Sequence, residues 1–323
     1  MDQALAASLN LDRSRNLTNG GAVVVAVIDT GIDFRHWFFA DRIYAPGYDY
    51  LADRPYGHEL ADGVDEDRDG LVDEAHGHGT HIASTILRVN PNARILPMRV
   101  MSAEGRGSSF DVARAIEDSV WMGAQIINLS LSVPRESRLV REALALAEAA
   151  GVAVYSSAGN TGQEGLLFPA SADSVLAVAS VDDADRLSRF SAYGRGVAFC
   201  APGEDVYAAL PDNRWGWWSG TSMACAVASG MASLALSGLT LELDDDVFED
   251  LEEDLEWPSW LEGNHETSAD LLAASSKNIR NRNEVARWDL GWGRLDARRL
   301  ANLMLDDDDD DDSDDDDDSD DDD

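Results

Sequence analysis

The feature that most constrains the fold is a continuous apolar run at residues 22–28, AVVVAVI, which is rich in β-branched side chains. A strand with one face in water alternates apolar and polar residues, whereas a strand covered on both faces is apolar throughout. The run stops at an Asp-Thr-Gly sequence, residues 29–31. It is therefore typical of a strand inside a parallel sheet that has helices on both sides.

Similar apolar runs recur along the chain, at residues 94–100, 125–131, 152–157, 175–181 and 197–201. Segments with helical spacing lie between most of them, and residues 136–150 are the clearest. Strands and helices that alternate in this way predict βαβ units. We therefore expect a three-layer α/β fold with a mainly parallel central sheet, and functional residues beyond the carboxyl ends of its strands.

The second half of the chain departs from this alternation. Residues 220–239 are rich in Ala, Ser and Gly, whose small side chains favour a closely packed central helix. We expect one domain over residues 1–305, interrupted by an acidic surface insertion at about 242–262. Residues 306–323 are 16 Asp and two Ser, and a run that repels itself in this way predicts a disordered tail.

Charge and cysteine content exclude several classes of protein. The 323 residues include 62 Asp and Glu against 25 Lys and Arg, a net charge of −37. Binding to nucleic acid requires basic surface that displaces counterions, so this charge excludes a nucleic-acid partner. Cys200 and Cys225 are too few for a disulfide scaffold, and their apolar surroundings predict buried thiols.

The sequence shows no membrane or export signal. No apolar stretch of about 20 residues is present to span a bilayer, so we expect no membrane partner. The first ten residues, MDQALAASLN, lack the basic and apolar regions of a signal peptide. The chain as written is expected in the cytoplasm, or secreted if it is a processed or truncated form. We expect a monomer.

Three motifs place catalytic residue types among glycines: Asp-Thr-Gly at 29–31, His-Gly-Thr-His at 78–81 and Gly-Thr-Ser-Met-Ala at 220–224. A serine hydroxyl needs a base to take its proton and a carboxylate to orient that base. A serine at the start of a helix also has backbone N–H groups nearby that stabilise an oxyanion. Each motif alone is typical of a turn or a helix cap, but together their order, Asp, His, Ser, is a known triad order.

These motifs, which occur between about residues 20 and 304, resemble those of the subtilisin-like serine peptidases, or subtilases. The resemblance implies an endopeptidase that cleaves protein or peptide substrates through an acyl-enzyme. Asp29 would orient the base, His78 would be the general base and acid, and Ser222 would be the nucleophile. Asn160, in the sequence Ser-Ala-Gly-Asn, would hold the oxyanion, and His81 would be structural.

The resemblance also implies a groove that holds the substrate as an added strand. Its residues would be Ser130, Leu131, Ser132, Gly105, Gly107, Gly159 and Leu167. Two glycines often follow the Leu in this family, but this chain has Ser132 and Val133 there. This bulk, together with Leu167, predicts a narrow primary pocket for small or medium apolar side chains.

An acidic loop before the His motif has the D-x-D-x-D-G spacing that wraps oxygen atoms around Ca²⁺. The expected ligands are Asp65, Asp67, Asp69, Leu71 and Asp73. His76 stands where an EF-hand has its bidentate Glu, so we expect a structural calcium site but not a paired EF-hand. A solvated acidic turn is the open alternative.

Two functions stay open on the sequence alone. One is the serine endopeptidase. The other is a catalytically inactive subtilase-fold module that binds calcium or protein. All four catalytic positions carry the required residue types, which favours the enzyme.

Overall fold

The computed structural model describes Ala7, Leu9, Leu11 and residues 22–66, 68–133, 135–238, 268–283 and 290–305. Asp67, the acidic insertion at 242–262 and the tail at 306–323 lie outside the described residues. The division of the chain into one domain and a disordered tail therefore stays a prediction.

One sheet contains eight strands: β1 Val24–Asp29, β2 Tyr48–Asp49, β3 Arg54–Pro55, β4 Arg94–Arg99, β5 Ile126–Leu129, β6 Ala153–Ser157, β7 Leu176–Val181 and β8 Val197–Pro202. Their spatial order is β3-β2-β4-β1-β5-β6-β7-β8. All neighbouring pairs are parallel except β2 with β3. The carboxyl ends of β1, β5 and β6 therefore meet at one edge, where the candidate site lies.

Helices cover both faces of the sheet: α1 His78–Val89, α2 Ser109–Trp121, α3 Arg138–Ala149, α4 Thr221–Gly238, α5 Ser268–Ser275 and α6 Ala297–Leu305. The core on one face contains side chains of α1, α4, α5 and α6. The core on the other face contains side chains of α2 and α3. The three-layer α/β fold predicted from the sequence is confirmed.

β1 shows why its sequence is apolar throughout. Val25 and Val27 lie in the core beneath α1 and α4, whereas Val24, Ala26 and Ile28 lie in the core beneath α2 and α3. Successive side chains of a strand point to opposite faces, so both sets leave water when the helices pack. Such burial contributes roughly 25 cal/mol for each Å² of apolar surface. β1 also pairs with β4 and β5, which fixes it inside the sheet.

α4 is the central helix predicted from its small residues. By length and composition alone it is able to cross a bilayer, but 89% of it is buried within the protein, as in a core helix. A Cβ atom added at Gly230 would lie 2.7 Å from Val89 Cβ and 3.1 Å from the Ile86 carbonyl oxygen. The missing side chain therefore lets α4 pack directly on α1, the helix that begins at His78.

The structure also contains a β-hairpin that the sequence analysis does not predict, β9 Val206–Leu210 and β10 Arg214–Trp218. Asp212 and Asn213 have φ values of 64° and 57° in its turn, a conformation that these residue types adopt readily. Asp-Asn between two aromatic segments is the sequence signal for this turn. The adjacent Trp217 and Trp218 obscure it because they break the alternation expected of a strand.

Gly230→Ala tests the contact between α1 and α4. Alanine is the better helix former by about 1 kcal/mol, but its methyl group would overlap Val89. Overpacking of this kind costs about 1–3 kcal/mol, so we expect a lower Tm in thermal unfolding. Ala145→Gly, at an exposed position of α3, measures helix propensity alone. A higher Tm for Gly230→Ala would contradict the contact, because only the gain in helix propensity would then remain.

Candidate active site

Asp29 ends β1 at the carboxyl edge of the sheet and is fully buried. The backbone N–H of Thr30 donates to Asp29 Oδ1 at 2.7 Å. The backbone N–H groups of Val100 and Met101 donate to the Asp29 carbonyl oxygen at 2.9 and 3.3 Å. Both the carboxylate and the main chain of this residue are therefore held in place.

His78 is the first residue of α1, and its Nδ1 lies 2.7 Å from Asp29 Oδ1. An ionised carboxylate only accepts hydrogen bonds, so Nδ1 carries the proton and Nε2 is the basic nitrogen. Gly79 permits this approach, because a Cβ atom there would lie 2.1 Å from the Gly31 carbonyl oxygen and 3.2 Å from Asp29 Oδ1. The glycine after the histidine is thus a requirement of packing.

The two histidines of α1 have pKa values shifted in opposite directions. Burial disfavours charged His78, but the charge of Asp29, the hydrogen bond to it and the charge of Glu59 outweigh burial and raise the pKa of His78. Burial lowers the pKa of His81 to about 4, against the hydrogen bond between Nε2 and the Val206 carbonyl oxygen. His81 is therefore neutral near pH 7 and links α1 to the hairpin.

Glu59 lies beside this pair, and the sequence analysis does not single it out. It is only 4% exposed. Its oxygens accept hydrogen bonds from Thr30 Oγ1 at 2.5 Å, Gly77 N at 2.7 Å, Thr80 N at 3.3 Å and Thr80 Oγ1. Glu59 N also donates to the Ile32 carbonyl oxygen at 3.1 Å. A single acidic residue in an irregular segment forms no recognisable sequence pattern. Only the tertiary structure therefore places Glu59 beside Asp29 and His78.

Ser222 lies in the first turn of α4. Its hydroxyl donates to the Ser130 carbonyl oxygen at 3.3 Å, and Ser130 Oγ donates to the Ser222 carbonyl oxygen at 3.0 Å. Within the described part of the chain, the Ser222 hydroxyl therefore bonds to Ser130 and not to His78. Catalytic hydrogen bonds often tighten only when substrate binds, so this geometry is compatible with a serine nucleophile.

Asn160 follows β6 and lies beside the start of α4. Its Oδ1 accepts hydrogen bonds from Thr221 N at 3.0 Å and Thr221 Oγ1 at 2.9 Å. Two donors at one end fix the orientation of the amide, so Nδ2 is the end directed away from Thr221. The first N–H groups of a helix have no partner within it, so Asn160 Nδ2 and the N-terminus of α4 offer donors in one region.

The structure brings the predicted primary pocket together from two segments. Leu131 is buried and Ser132 is exposed just after β5. Val133 N donates to the Phe168 carbonyl oxygen at 2.9 Å, which joins this segment to the one that contains Leu167. A Cβ atom at Gly159 would lie 2.8 Å from the Leu167 side chain. Leu167 therefore occupies the space beside Gly159, and the narrow primary pocket stays a prediction.

The opposite side of the predicted groove contains Gly105 and Gly107, which are exposed after β4. Gly105 has a φ of 73°, which favours glycine. A Cβ atom at Gly107 would lie 2.2 Å from the Val100 carbonyl oxygen, so no larger residue fits there without movement. Both glycines therefore shape an exposed segment of backbone.

Aromatic side chains of the hairpin reach the site. The ring centroids of Trp218 and His78 are 5.5 Å apart, and the rings are nearly perpendicular at 88°. Trp215 and Trp217 both pack on Tyr207, and Trp217 is 60% exposed. The three tryptophans thus have different surroundings, and Trp218 is the one that packs on His78.

In the acidic loop, the carboxylates of Asp65 and Asp73 accept backbone N–H groups of the loop, and Glu66 accepts a hydrogen bond from Ser102 Oγ at 2.8 Å. Asp65 accepts three N–H groups, from residues 68–70, at 2.6 to 3.2 Å. Asp73 accepts two, from residues 62–63, at 3.0 to 3.2 Å. These bonds contribute to the shape of the loop.

The other expected calcium ligands among the described residues are Asp69 and Leu71. Asp69 Oδ1 accepts the backbone N–H of Leu71 at 2.8 Å, and Leu71 itself is 56% exposed. Across the described ranges, no three His, Cys, Asp or Glu side chains form a group suited to a metal. Asp67 lies outside those ranges. Calcium binding by this loop therefore stays a prediction.

Comparison with known protein families matches residues 20–249 to the subtilase family. The chain belongs to the subtilase family. This subtilase is 36% identical over 223 residues to the "Thermophilic serine proteinase" of Bacillus sp. (strain AK1), which is 66% of this chain and 52% of that protein. It is 33% identical over 231 residues to Subtilisin DY of Bacillus licheniformis, which is 68% of this chain and 78% of that protein. The match thus spans about half of the first relative's length.

Two solved structures have the same fold as this subtilase. A lanthipeptide protease superposes with a TM-score of 0.73 at 23% identity, over 93% of this chain and 94% of that chain. A cold adapted subtilisin-like serine proteinase superposes with a TM-score of 0.64 at 26% identity, over 86% of this chain and 88% of that chain. Both support the three-layer architecture.

NMR titration of the imidazole rings tests the electrostatics of α1. We expect His78 to titrate above the reference value of about 6.5, because the Asp29 carboxylate favours its charged form. Asp29→Asn removes that charge and should lower the pKa of His78. His81, with a pKa of about 4, is distinguished from His78 in the same spectra. A His78 pKa that does not change in Asp29→Asn would contradict the pairing.

Proposed function

We propose that this subtilase is a serine endopeptidase that hydrolyses peptide bonds in protein or peptide substrates. The observation that carries the proposal is the contact of 2.7 Å between the buried Asp29 carboxylate and His78, at the sheet edge where α4 presents Ser222. Membership of the subtilase family and relatives named as serine proteinases support the same activity.

In this mechanism His78 Nε2 takes the proton of Ser222 as the serine oxygen attacks the carbonyl carbon of the substrate. The carbonyl π bond opens to an oxyanion. As the C–N bond breaks, His78 gives the proton to the leaving amine, and an ester forms on Ser222. Water then attacks the ester with His78 again as base, which releases the acid and restores the serine. Asp29 orients the imidazole and stabilises its charged form.

The oxyanion would receive hydrogen bonds from Asn160 Nδ2 and the backbone N–H of Ser222. The proposal for Asn160 rests on Thr221, which holds the other end of its amide. Donors that are already oriented cost no rearrangement when charge develops in the transition state.

Hydrolysis of denatured casein by Ser222→Ala and Asn160→Ala tests these roles. We expect Ser222→Ala to abolish hydrolysis, because it removes the nucleophile. Asn160→Ala should lower kcat by about 10²–10³, the loss measured for the equivalent donor of subtilisin, with little change in folding. Full turnover by Asn160→Ala would exclude that residue from the mechanism. A folded wild-type chain without hydrolysis would favour the inactive binding module.

Leu167→Gly tests the proposed preference for small or medium apolar side chains at the cleaved position. Removing the side chain beside Gly159 enlarges the pocket, so we expect peptides with Phe there to gain relative to peptides with Ala. Leu139→Ala, at an exposed position of α3, is the control. The measurement is kcat/KM against a peptide library. A wild-type preference for Arg or Lys would contradict the proposal.

We propose structural calcium binding at the acidic loop on its sequence spacing alone, and no catalytic step depends on it. Thermal unfolding with CaCl₂ or MgCl₂ tests it. We expect calcium to raise the Tm of the wild-type chain but not of Asp65→Asn, because binding to the native state stabilises it. If calcium neither raises the Tm nor protects residues 62–73 from proteolysis, the loop is a solvated turn.

A further inference from the structure

Glu59 is a buried acid that the proposed mechanism does not use. Its Oε1 accepts hydrogen bonds from Thr30 Oγ1 and Gly77 N, at 2.5 and 2.7 Å. Its Oε2 accepts hydrogen bonds from Thr80 Oγ1 and Thr80 N. The Glu59 carboxyl group therefore links Thr30, which follows Asp29, to Gly77 and Thr80, which lie on either side of His78 in the sequence.

The other hydrogen bonds of the two neighbouring hydroxyl groups show whether these hydroxyls donate to Glu59 or accept from it. Thr30 Oγ1 already accepts the backbone N–H of Gly79 at 2.9 Å. Thr80 Oγ1 already accepts the backbone N–H of Asp33 at 2.9 Å. Each hydroxyl therefore has its own hydrogen available for Glu59, which receives four donors, two at each oxygen. A carboxyl group that accepts at both oxygens matches the ionised form.

The charge of Glu59 acts at the candidate base. Burial and the charge of Asp29 raise the pKa of Glu59 above its ordinary value, and the hydrogen bonds from Thr30, Thr80 and Gly77 oppose that effect in part. The titratable groups that act on Glu59 and His78 from the packed elements are Asp29 of β1 and His81 of α1. His81 is neutral near pH 7, so the negative charges of Asp29 and Glu59 both favour protonated His78.

We infer that Glu59 is a positioning residue that, as a carboxylate, fixes the start of α1 against the end of β1 and so holds His78 on Asp29. This inference rests on the proposed function, since it gives Glu59 a role in the same site. Glu59 itself touches neither substrate nor the reacting atoms. It acts through Thr30 and Thr80.

An amide is a poor substitute for Glu59, although it has the same shape. The NH₂ end of a glutamine would face two donors, so one side of the network would be lost. Glu59→Gln also removes the charge that raises the pKa of His78. Glu59→Asp keeps the charge but shortens the side chain, which separates the effect of charge from the effect of position.

The test measures the His78 pKa by NMR and the pH profile of peptide hydrolysis in Glu59→Gln, Glu59→Asp and Glu117→Gln. Glu117 is exposed on α2, so its substitution removes one charge without touching the site. For Glu59→Gln we expect a lower His78 pKa, an acid limb moved to lower pH, and kcat reduced roughly 10-fold to 100-fold at unchanged KM. Glu59→Asp should keep the acid limb but lose kcat, and Glu117→Gln should match the wild type.

A folded Glu59→Gln chain with the wild-type His78 pKa and kcat would overturn the inference. If Glu59→Gln does not fold, Glu59→Asp decides, and a wild-type kcat for that variant would overturn it. Failure of the proposed function is distinguishable, because it is the absence of hydrolysis by the wild-type chain. The His78 pKa of Glu59→Gln still tests Glu59 in that case, since the NMR titration needs no activity.

Discussion

The site depends on the close contact between the end of β1 and the start of α1, where His78 meets the buried Asp29 carboxylate at 2.7 Å. That contact requires a strand fixed from both sides by β4 and β5. It also requires a glycine at position 79, because any Cβ atom there would strike the Gly31 carbonyl oxygen. The packing of the apolar strand thus stabilises the Asp29–His78 pair, which would be costly to bury without its hydrogen bond.

The third member of the site comes from the packing of α4 on α1. Gly230 lets the two helices approach closely at the last turn of α1, where the missing side chain leaves room for Val89. His78 begins one helix and Ser222 lies in the first turn of the other. The same small residues that made α4 recognisable in the sequence therefore place a serine hydroxyl and helix N–H groups at the edge where Asp29 ends β1.

Much of the fold and of the candidate site was predictable, because it depends on local sequence patterns. Strands buried on both faces are apolar throughout. Each of the motifs around Asp29, His78 and Ser222 is a short continuous stretch of sequence. Contacts between distant segments were not predictable. No local sequence pattern identifies Glu59 as a site residue. Its role depends on hydrogen bonds from Thr30 and Thr80, which the fold brings close to it. The loop spacing around Asp65 predicts a cation site, which stays a prediction, but the spacing does not reveal that Asp65 accepts three backbone N–H groups of its own loop.

Reaction with a fluorophosphonate tests the central claim most directly, because such reagents react with a serine only when a base activates it. The intact mass of the treated chain and peptide mapping locate the adduct. We expect one adduct, on Ser222, formed faster as the pH rises through the pKa of His78. A folded chain that forms no adduct, or that forms it on another residue, would show that His78 does not activate Ser222.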